Sequence, residues 1–92
     1  MDGGAPFLRL DAWLFHARLA KTKGACARMI AAGGFRVNRQ PATKPHARIR
    51  AGDVLTFALG ERVRVWRVLA LGERRGPATE AQALYEDISE AE

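Results

Sequence analysis

The stretch RLDAWLFHARLAKTKGACARMIAAGG, residues 9–34, decides the fold because two apolar stripes at helical spacing flank a basic, polar break. The first stripe has the i, i+3, i+4, i+7 spacing of one helical face and consists of Leu10, Trp13, Leu14 and Ala17. Asp11 falls in the first turn, where a carboxylate suits the positive end of the helix dipole. Residues 9–20 are therefore predicted to form a helix.

The break itself reads KTKG, residues 21–24, and predicts the start of a second helix. The hydroxyl of Thr22 is a favourable N-cap, and Gly24 costs little so near a helix terminus. The second apolar stripe consists of Cys26, Met29 and Ile30. The glycine pair at 33–34 then ends the helix. The sequence thus predicts a helical hairpin and not one continuous rod.

Beyond the glycines, the apolar period changes from that of a helix to that of a strand. Alternating residues predict strands in FRVN (35–38), VLTFAL (54–59) and VRVWRVLAL (63–71). GPATEAQALYEDI begins with Pro77 at a favoured first-turn position and predicts a helix through Tyr85. The order predicts an α+β fold, a helical hairpin packed on a small antiparallel sheet with a C-terminal helix. The predicted segments are an N-terminal tail (1–8), the main domain (9–71), and the C-terminal helix with an acidic tail (72–92).

Charge is unevenly distributed along the 92 residues. The formal net charge is +5, with +9 on residues 1–72 and −4 on residues 73–92. A basic body of this kind favours a polyanionic partner, nucleic acid above all, although a basic protein without such a partner remains the alternative. The single cysteine, Cys26, excludes an internal disulfide and fits a reducing compartment. Without a secretory signal or a membrane-length apolar run, the expected location is the cytoplasm.

The sequence offers little from which to build a catalytic or metal site. His16 and His46 have no paired carboxylate or cysteine at ligand spacing, and a zinc site needs about four ligands. Cys26 falls on the apolar stripe, which favours a buried and inert thiol over a nucleophile. Glycine-rich phosphate loops are also missing. We therefore expect no enzyme activity, no cofactor, no metal and no small-molecule substrate.

The joint between the two predicted helices is richer in candidate binding groups. Lys21 and Lys23 flank Thr22, while Arg18 precedes the break and Arg28 follows it. A helix N-terminus with several neighbouring cations is a natural phosphate site. A solvated charged turn is the plainer alternative.

The residues of the predicted second helix favour RNA over DNA as the partner. A DNA-reading second helix needs side chains that reach base edges, whereas the outward positions here are mostly glycine and alanine, with Arg28 alone able to do so. Recognition through shape and phosphate position suits structured RNA. Trp66, which lies among arginines, is interpreted equally well as a base-stacking platform or as a core residue.

Residues 9–55, RLDAWLFHARLAKTKGACARMIAAGGFRVNRQPATKPHARIRAGDVL, resemble the αL RNA-binding domain of ribosomal small-subunit protein four, which also occurs in tyrosyl-tRNA synthetases and many pseudouridine synthases. The matching elements are RLD, T-K, AR-MI--G-F-VN, KP and GD. The resemblance implies that RNA lies along the two helices and the adjoining strand. The residues it implies for the RNA-facing surface are Arg9, Arg18, Lys21, Thr22, Lys23 and Arg28. Those it implies at the border are Arg36, Asn38 and Lys44.

Residues 73–87, ERRGPATEAQALYED, resemble one subgroup, the ribosome-associated heat-shock protein 15 family. That resemblance implies a non-catalytic factor whose partners are ribosomal RNA, the large ribosomal subunit and tRNA. It further implies binding to subunits that carry a stalled nascent chain on tRNA, in ribosome rescue or recycling. Two alternatives remain: an RNA-guiding module of an RNA-modifying enzyme, and a DNA-binding helix-turn-helix repressor.

Two departures from the family pattern stand out. The family turn usually reads VNG, but Arg39 stands where the glycine is expected. A two-residue turn at Asn38–Arg39 would be strained, so the sequence predicts a different turn type. Some relatives also end in a long basic extension, whereas this sequence ends in EDISEAE.

Overall fold

In the computed structural model, which describes residues 4–89, a helical hairpin packs on one face of an antiparallel sheet, as the predicted α+β class requires. The elements are β1 (Leu8–Arg9), α1 (Leu10–His16), α2 (Lys23–Ala31), β2 (Arg36–Val37), β3 (Gln40–Pro41), β4 (Arg48–Ile49), β5 (Val54–Leu59), β6 (Arg62–Val68), α3 (Ala78–Gln82) and β7 (Tyr85–Asp87). Residues 1–3 of the predicted N-terminal tail and residues 90–92 of the predicted acidic tail lie outside the described part.

The first helix is shorter than predicted, because α1 ends at His16 and not at residue 20. Arg18 adopts a φ of 63°. The Leu19 N–H donates to the Leu14 carbonyl at 3.0 Å, and the Arg18 N–H donates to the Phe15 carbonyl at 3.1 Å. This pattern is the Schellman motif, whose left-handed position ordinarily holds glycine. An arginine takes that position here, so no glycine marks the end of the helix.

The second helix confirms the prediction. Thr22 is the N-cap of α2, and its Oγ1 accepts a hydrogen bond from the Ala25 N–H at 3.0 Å. Cys26 and Ile30, on the predicted stripe, are fully buried. Beyond the last turn, Gly33 adopts a φ of 92°, which lets the chain leave the helix toward β2.

The main sheet has the strand order β3-β2-β5-β6-β7, and each neighbouring pair is antiparallel. The predicted hairpin of two long strands is confirmed, with pairing from Val54–Arg67 to Leu59–Arg62. A separate two-stranded pairing joins β1 to β4 and brings the start of α1 beside the sheet. The second long strand ends at Val68, short of the predicted residue 71, because the next two N–H groups turn to the Leu84 carbonyl.

The prediction for the Asn38–Arg39 turn is wrong. Val37 pairs with Gln40, so these two residues alone form the turn, and their φ angles are 51° and 71°. Two positive φ values are the mark of a type I′ hairpin turn. The Asn38 side chain holds the turn, because its Oδ1 accepts from the Val54 N–H at 2.9 Å and its Nδ2 donates to Asp53 at 3.0 Å.

The C-terminal segment also departs from the predicted helix. Only five residues form α3, and Tyr85 belongs to β7, where it pairs with Val68 of β6. The acidic residues Glu86 and Asp87 therefore lie on a sheet strand, where they form ion pairs with Arg67 and Arg64. These pairs help to hold the last strand on the sheet.

The core lies between the helices and the inner face of the sheet. Its fully buried side chains are Leu10, Trp13, Leu14, Cys26, Ile30, Ile49, Leu55, Phe57 and Val68. Trp66 is 6% exposed and meets Phe57 edge-on at 4.9 Å. Its role is therefore core packing and not base stacking. Each fully buried large side chain contributes about 1.5–3 kcal/mol relative to exposure.

Candidate nucleic-acid interface

The start of α2 combines a capped helix end with a local excess of positive charge. Its first turn contains no acidic residue. Lys21, Lys23 and Arg28 are exposed there, and none of them forms an ion pair within residues 4–89. The free N–H groups of the first turn and the helix dipole add to the positive potential.

Arg28 folds back over the first turn of its own helix. A Cβ placed on Gly24 would lie 3.5 Å from Arg28 Nη1 and 4.0 Å from Thr22 Oγ1. The guanidinium therefore lies beside the N-cap, one turn away from its own Cα. Because Gly24 has no side chain, the surface between the cap and the guanidinium stays open. An anion there is within reach of both backbone and side-chain donors.

Arg18 was also predicted to face RNA, but its side chain forms a hydrogen bond within the fold. Its Nη1 donates to the Gly76 carbonyl at 2.8 Å, which ties the end of α1 to the segment before α3. Arg75 also contacts the segment between α1 and α2. Its guanidinium carbon lies 5.1 Å from the Phe15 ring centre, and its Nη2 lies 3.5 Å from the Ala20 carbonyl oxygen. Sequence reasoning missed Arg75 as a neighbour of the joint. The adjacent cations of ERRG were the available signal.

Two other predicted residues lie at the opposite end of α1, about 10 Å from the joint by helix rise. Arg9 makes a two-point ion pair with Asp11, at 3.0 and 2.9 Å, which offsets its charge. Lys44 is exposed on the loop whose Pro45 and Ala47 carbonyls accept N–H bonds from the start of α1. It lines a groove of about 430 Å³.

The last two predicted residues lie on the β2–β3 hairpin. Arg36 is exposed and projects from the sheet, whereas both polar atoms of the Asn38 side chain are occupied by the turn contacts described above. The structure therefore brings together Lys21, Thr22, Lys23 and Arg28, with Arg18 and Arg75 beside them. It places Arg9 and Lys44 at a second location and Arg36 with Asn38 at a third.

The described residues give no sign of another kind of site. Within residues 4–89, no three His, Cys, Asp or Glu side chains cluster as metal ligands. Cys26 is fully buried, and burial raises the pKa of its thiol, which disfavours the reactive thiolate. In that same part of the chain, no helix is long and apolar enough to cross a membrane.

Comparison with known proteins identifies the family of this chain. Residues 8–55 match the S4 domain family. The chain is 38% identical to heat shock protein 15 of Escherichia coli, over 91% of this chain and 62% of that protein. It is 35% identical to the Haemophilus influenzae homologue, over 87% of this chain and 60% of that protein. The chain thus spans about three fifths of the length of these relatives.

A solved structure extends the comparison to the fold. The trimeric structure of Vibrio cholerae heat shock protein 15 matches with a TM-score of 0.83 and 31% identity, covering 91% of this chain and 84% of that one. The match therefore includes the C-terminal segment beyond the S4 domain region. Together these similarities show that the chain contains an S4 domain and belongs to the heat shock protein 15 family.

Proposed function

We propose that this chain is a non-catalytic RNA-binding protein that associates with the large ribosomal subunit. The observation that carries the proposal is the start of α2, where three cations without carboxylate partners in residues 4–89 surround a capped helix N-terminus. S4 domain membership supports RNA as the polyanion. The segregation of charge, with +9 on residues 1–72 and −4 on residues 73–92, supports a polyanionic partner for the region that contains the S4 domain.

The chemistry of this surface suits phosphate recognition. Lys21, Lys23 and Arg28 supply charge-assisted donors, and the helix end supplies backbone N–H groups. Gly24 and Ala27 leave a low surface over which an RNA backbone can approach closely. Such a surface reads the position of phosphates and the shape of a folded RNA, without a set of side chains for base edges.

The finer role that we propose is binding to large subunits that carry a stalled nascent chain on tRNA, in ribosome rescue or recycling. It rests on the resemblance of residues 73–87 and on membership in the heat shock protein 15 family. Cosedimentation tests it: the chain should pellet with large subunits, and more fully when peptidyl-tRNA is bound. Equal binding with and without peptidyl-tRNA would contradict the finer role alone.

Paired double variants test the RNA-binding surface. Lys21→Ala with Lys23→Ala should weaken binding to large subunits by about tenfold or more at low salt, and Arg28→Ala should add to the loss. The matched control, Arg62→Ala with Arg74→Ala, removes the same charge from other parts of the surface. It should bind nearly as the wild type does, because Arg62 lies on β6 and the charge of Arg74 is already offset by Glu80 at 3.0 Å.

Salt dependence provides a second readout. Each lost phosphate contact should reduce the slope of log K against log salt by about 0.7–0.9. The Lys21/Lys23 double variant should therefore show a shallower slope than its control. Equal affinities and equal slopes for the two double variants would place the RNA contact elsewhere and reject this surface.

A further inference from the structure

The tip of the β2–β3 hairpin places a cation where glycine is the ordinary residue. Arg39 adopts a φ of 71° and is exposed. The neighbouring Asn38 contacts impose the turn, so the strain at Arg39 is held by the surrounding structure. A strained conformation kept at an exposed charged residue points to a role for its side chain.

A groove of about 560 Å³ lies beside this tip, on the outer face of the sheet. Its lining residues are Asn38, Arg39, Val54, Thr56, Val65 and Ile88. Successive strand residues point to opposite faces, and Leu55 and Phe57 point into the core beneath the helices. The groove is therefore on the side of the sheet opposite the helices, away from the α2 surface.

Arg36 adds a second guanidinium at the same place. It pairs with Thr56 across β2 and β5, so both side chains lie on the outer face. Its Nη1 lies 3.4 Å from the Arg39 carbonyl oxygen, which brings the guanidinium to the turn. Neither arginine has an ion-pair partner in residues 4–89, whereas Arg67, on the same face, pairs with Glu86 at 2.8 Å. Among residues 4–89, two guanidinium groups without ion-pair partners therefore lie at the hairpin end of the groove, and the nearby Asp53 carboxylate accepts a hydrogen bond from Asn38.

We propose that this groove is a second nucleic-acid site. Arg36 and Arg39 bind a backbone phosphate, and the apolar floor formed by Val54 and Val65 receives the adjoining nucleoside. The inference rests on the proposed function, because it takes RNA as the polyanion. The groove volume falls within the range of about 300–1,000 Å³ found for small-ligand sites. A second copy packed face to face is a poorer occupant, since its own face would bring the same arginines into contact.

Substitution of Arg39 separates folding from binding. Arg39→Gly should raise the thermal midpoint, because glycine accepts a positive φ without strain. The same change should weaken binding to a labelled single-stranded RNA of about ten nucleotides by about fivefold or more, through the lost phosphate contact. Arg39→Lys should keep most of the affinity. Wild-type RNA affinity in Arg39→Gly would overturn the proposal.

A matched pair of charge insertions tests the groove itself. Thr56 and Ala58 both face outward on β5, about 7 Å apart, but only Thr56 lines the groove. Thr56→Glu should reduce affinity for the same RNA by about tenfold or more, because the carboxylate neutralises Arg36 and repels phosphate. Ala58→Glu should have a much smaller effect. Equal losses would show a general charge effect and overturn the proposal.

The outcomes separate this site from the α2 surface. If the wild type fails to bind RNA, both proposals fall. If the Lys21/Lys23 double variant loses binding while Arg39→Gly and Thr56→Glu keep it, only the outer-face site is rejected. Light scattering tests whether the groove instead binds a second copy of this chain. If Thr56→Glu dissociates an oligomer and leaves the RNA affinity unchanged, the groove is an interface between copies and the proposal is wrong.

Discussion

The rings of Trp66 and Tyr85 stack with their centres 3.8 Å apart and their planes 12° from parallel. Trp13 of α1 meets both rings edge-on, at 6.4 Å in each case. The three side chains come from β6, β7 and the first helix. Their contact fastens the last strand both to the sheet and to the helical hairpin, so the C-terminal segment is part of the same core.

Removal of the Tyr85 ring should destabilise the whole fold. Tyr85→Ala is expected to lower the free energy of unfolding by about 2 kcal/mol, below the usual range for a fully buried aromatic because this ring is only half-buried. Tyr85→Phe keeps the stacking and should remain close to the wild type. Urea unfolding followed by tryptophan fluorescence measures both. Equal stability of the alanine and phenylalanine variants would show that the stacking contributes little.

The same residue shows where prediction from sequence reaches its limit. The segment from Ala78 to Tyr85 is rich in helix formers, so local propensity predicts a helix throughout. The observed strand depends on pairing with β6 and on the Trp66 ring, which are distant in sequence. By contrast, the cap at Thr22 and the Cys26–Ile30 stripe are local signals, and the second helix was predicted correctly from them.

In the candidate interface, too, the local features were predictable from the sequence and the long-range contacts were not. The grouping of Lys21, Lys23 and Arg28 follows from the position of one helix start, which the sequence indicates directly. The hydrogen bond from Arg18 to Gly76 could not be predicted in this way, because it joins segments that are nearly sixty residues apart in the sequence. The two-residue turn at Arg39 was also missed, because its stability comes from distant hydrogen-bond partners of the neighbouring asparagine and not from glycine.

Acid should weaken the attachment of the last strand. Hydrogen bonds from Ser89 and from Arg64 lower the pKa of Asp87 from 3.8 to about 2. The folded-state pKa lies below the unfolded one, so this carboxylate stabilises the fold above about pH 4 and loses its contribution as the pH falls toward 2. Asp87→Asn should therefore reduce the pH dependence of the urea midpoint between about pH 4 and 2. An unchanged pH profile would contradict this role.

Cys26 should behave as a protected thiol. Burial raises its pKa, so the thiol stays protonated at a pH where an exposed cysteine is partly ionised. We expect its reaction with a disulfide reagent at about pH 8 to be slower by about a hundredfold or more in the native protein than in urea. Absorbance of the released thiolate measures both rates. Native and unfolded rates within a factor of about ten would show that the helix opens readily.

Thr22 separates the structural and the binding roles of the α2 start. Its Oγ1 accepts the Ala25 N–H at 3.0 Å, so Thr22→Ala should cost about 1 kcal/mol of stability. Thr22→Ser is the matched control and should preserve both stability and RNA affinity, because the hydroxyl remains. Urea unfolding and RNA titration at low salt give the two readouts.

Thr22→Asp is the decisive variant at this position. Aspartate is a good N-cap and its charge suits the helix dipole, so stability should be maintained or raised. The same carboxylate would lie among Lys21, Lys23 and Arg28, where it would neutralise the cations and repel a phosphate. RNA affinity should therefore fall by about tenfold or more, in a protein that is no less stable than the wild type. If Thr22→Asp binds RNA as tightly as Thr22→Ser does, the phosphate does not bind at this helix end.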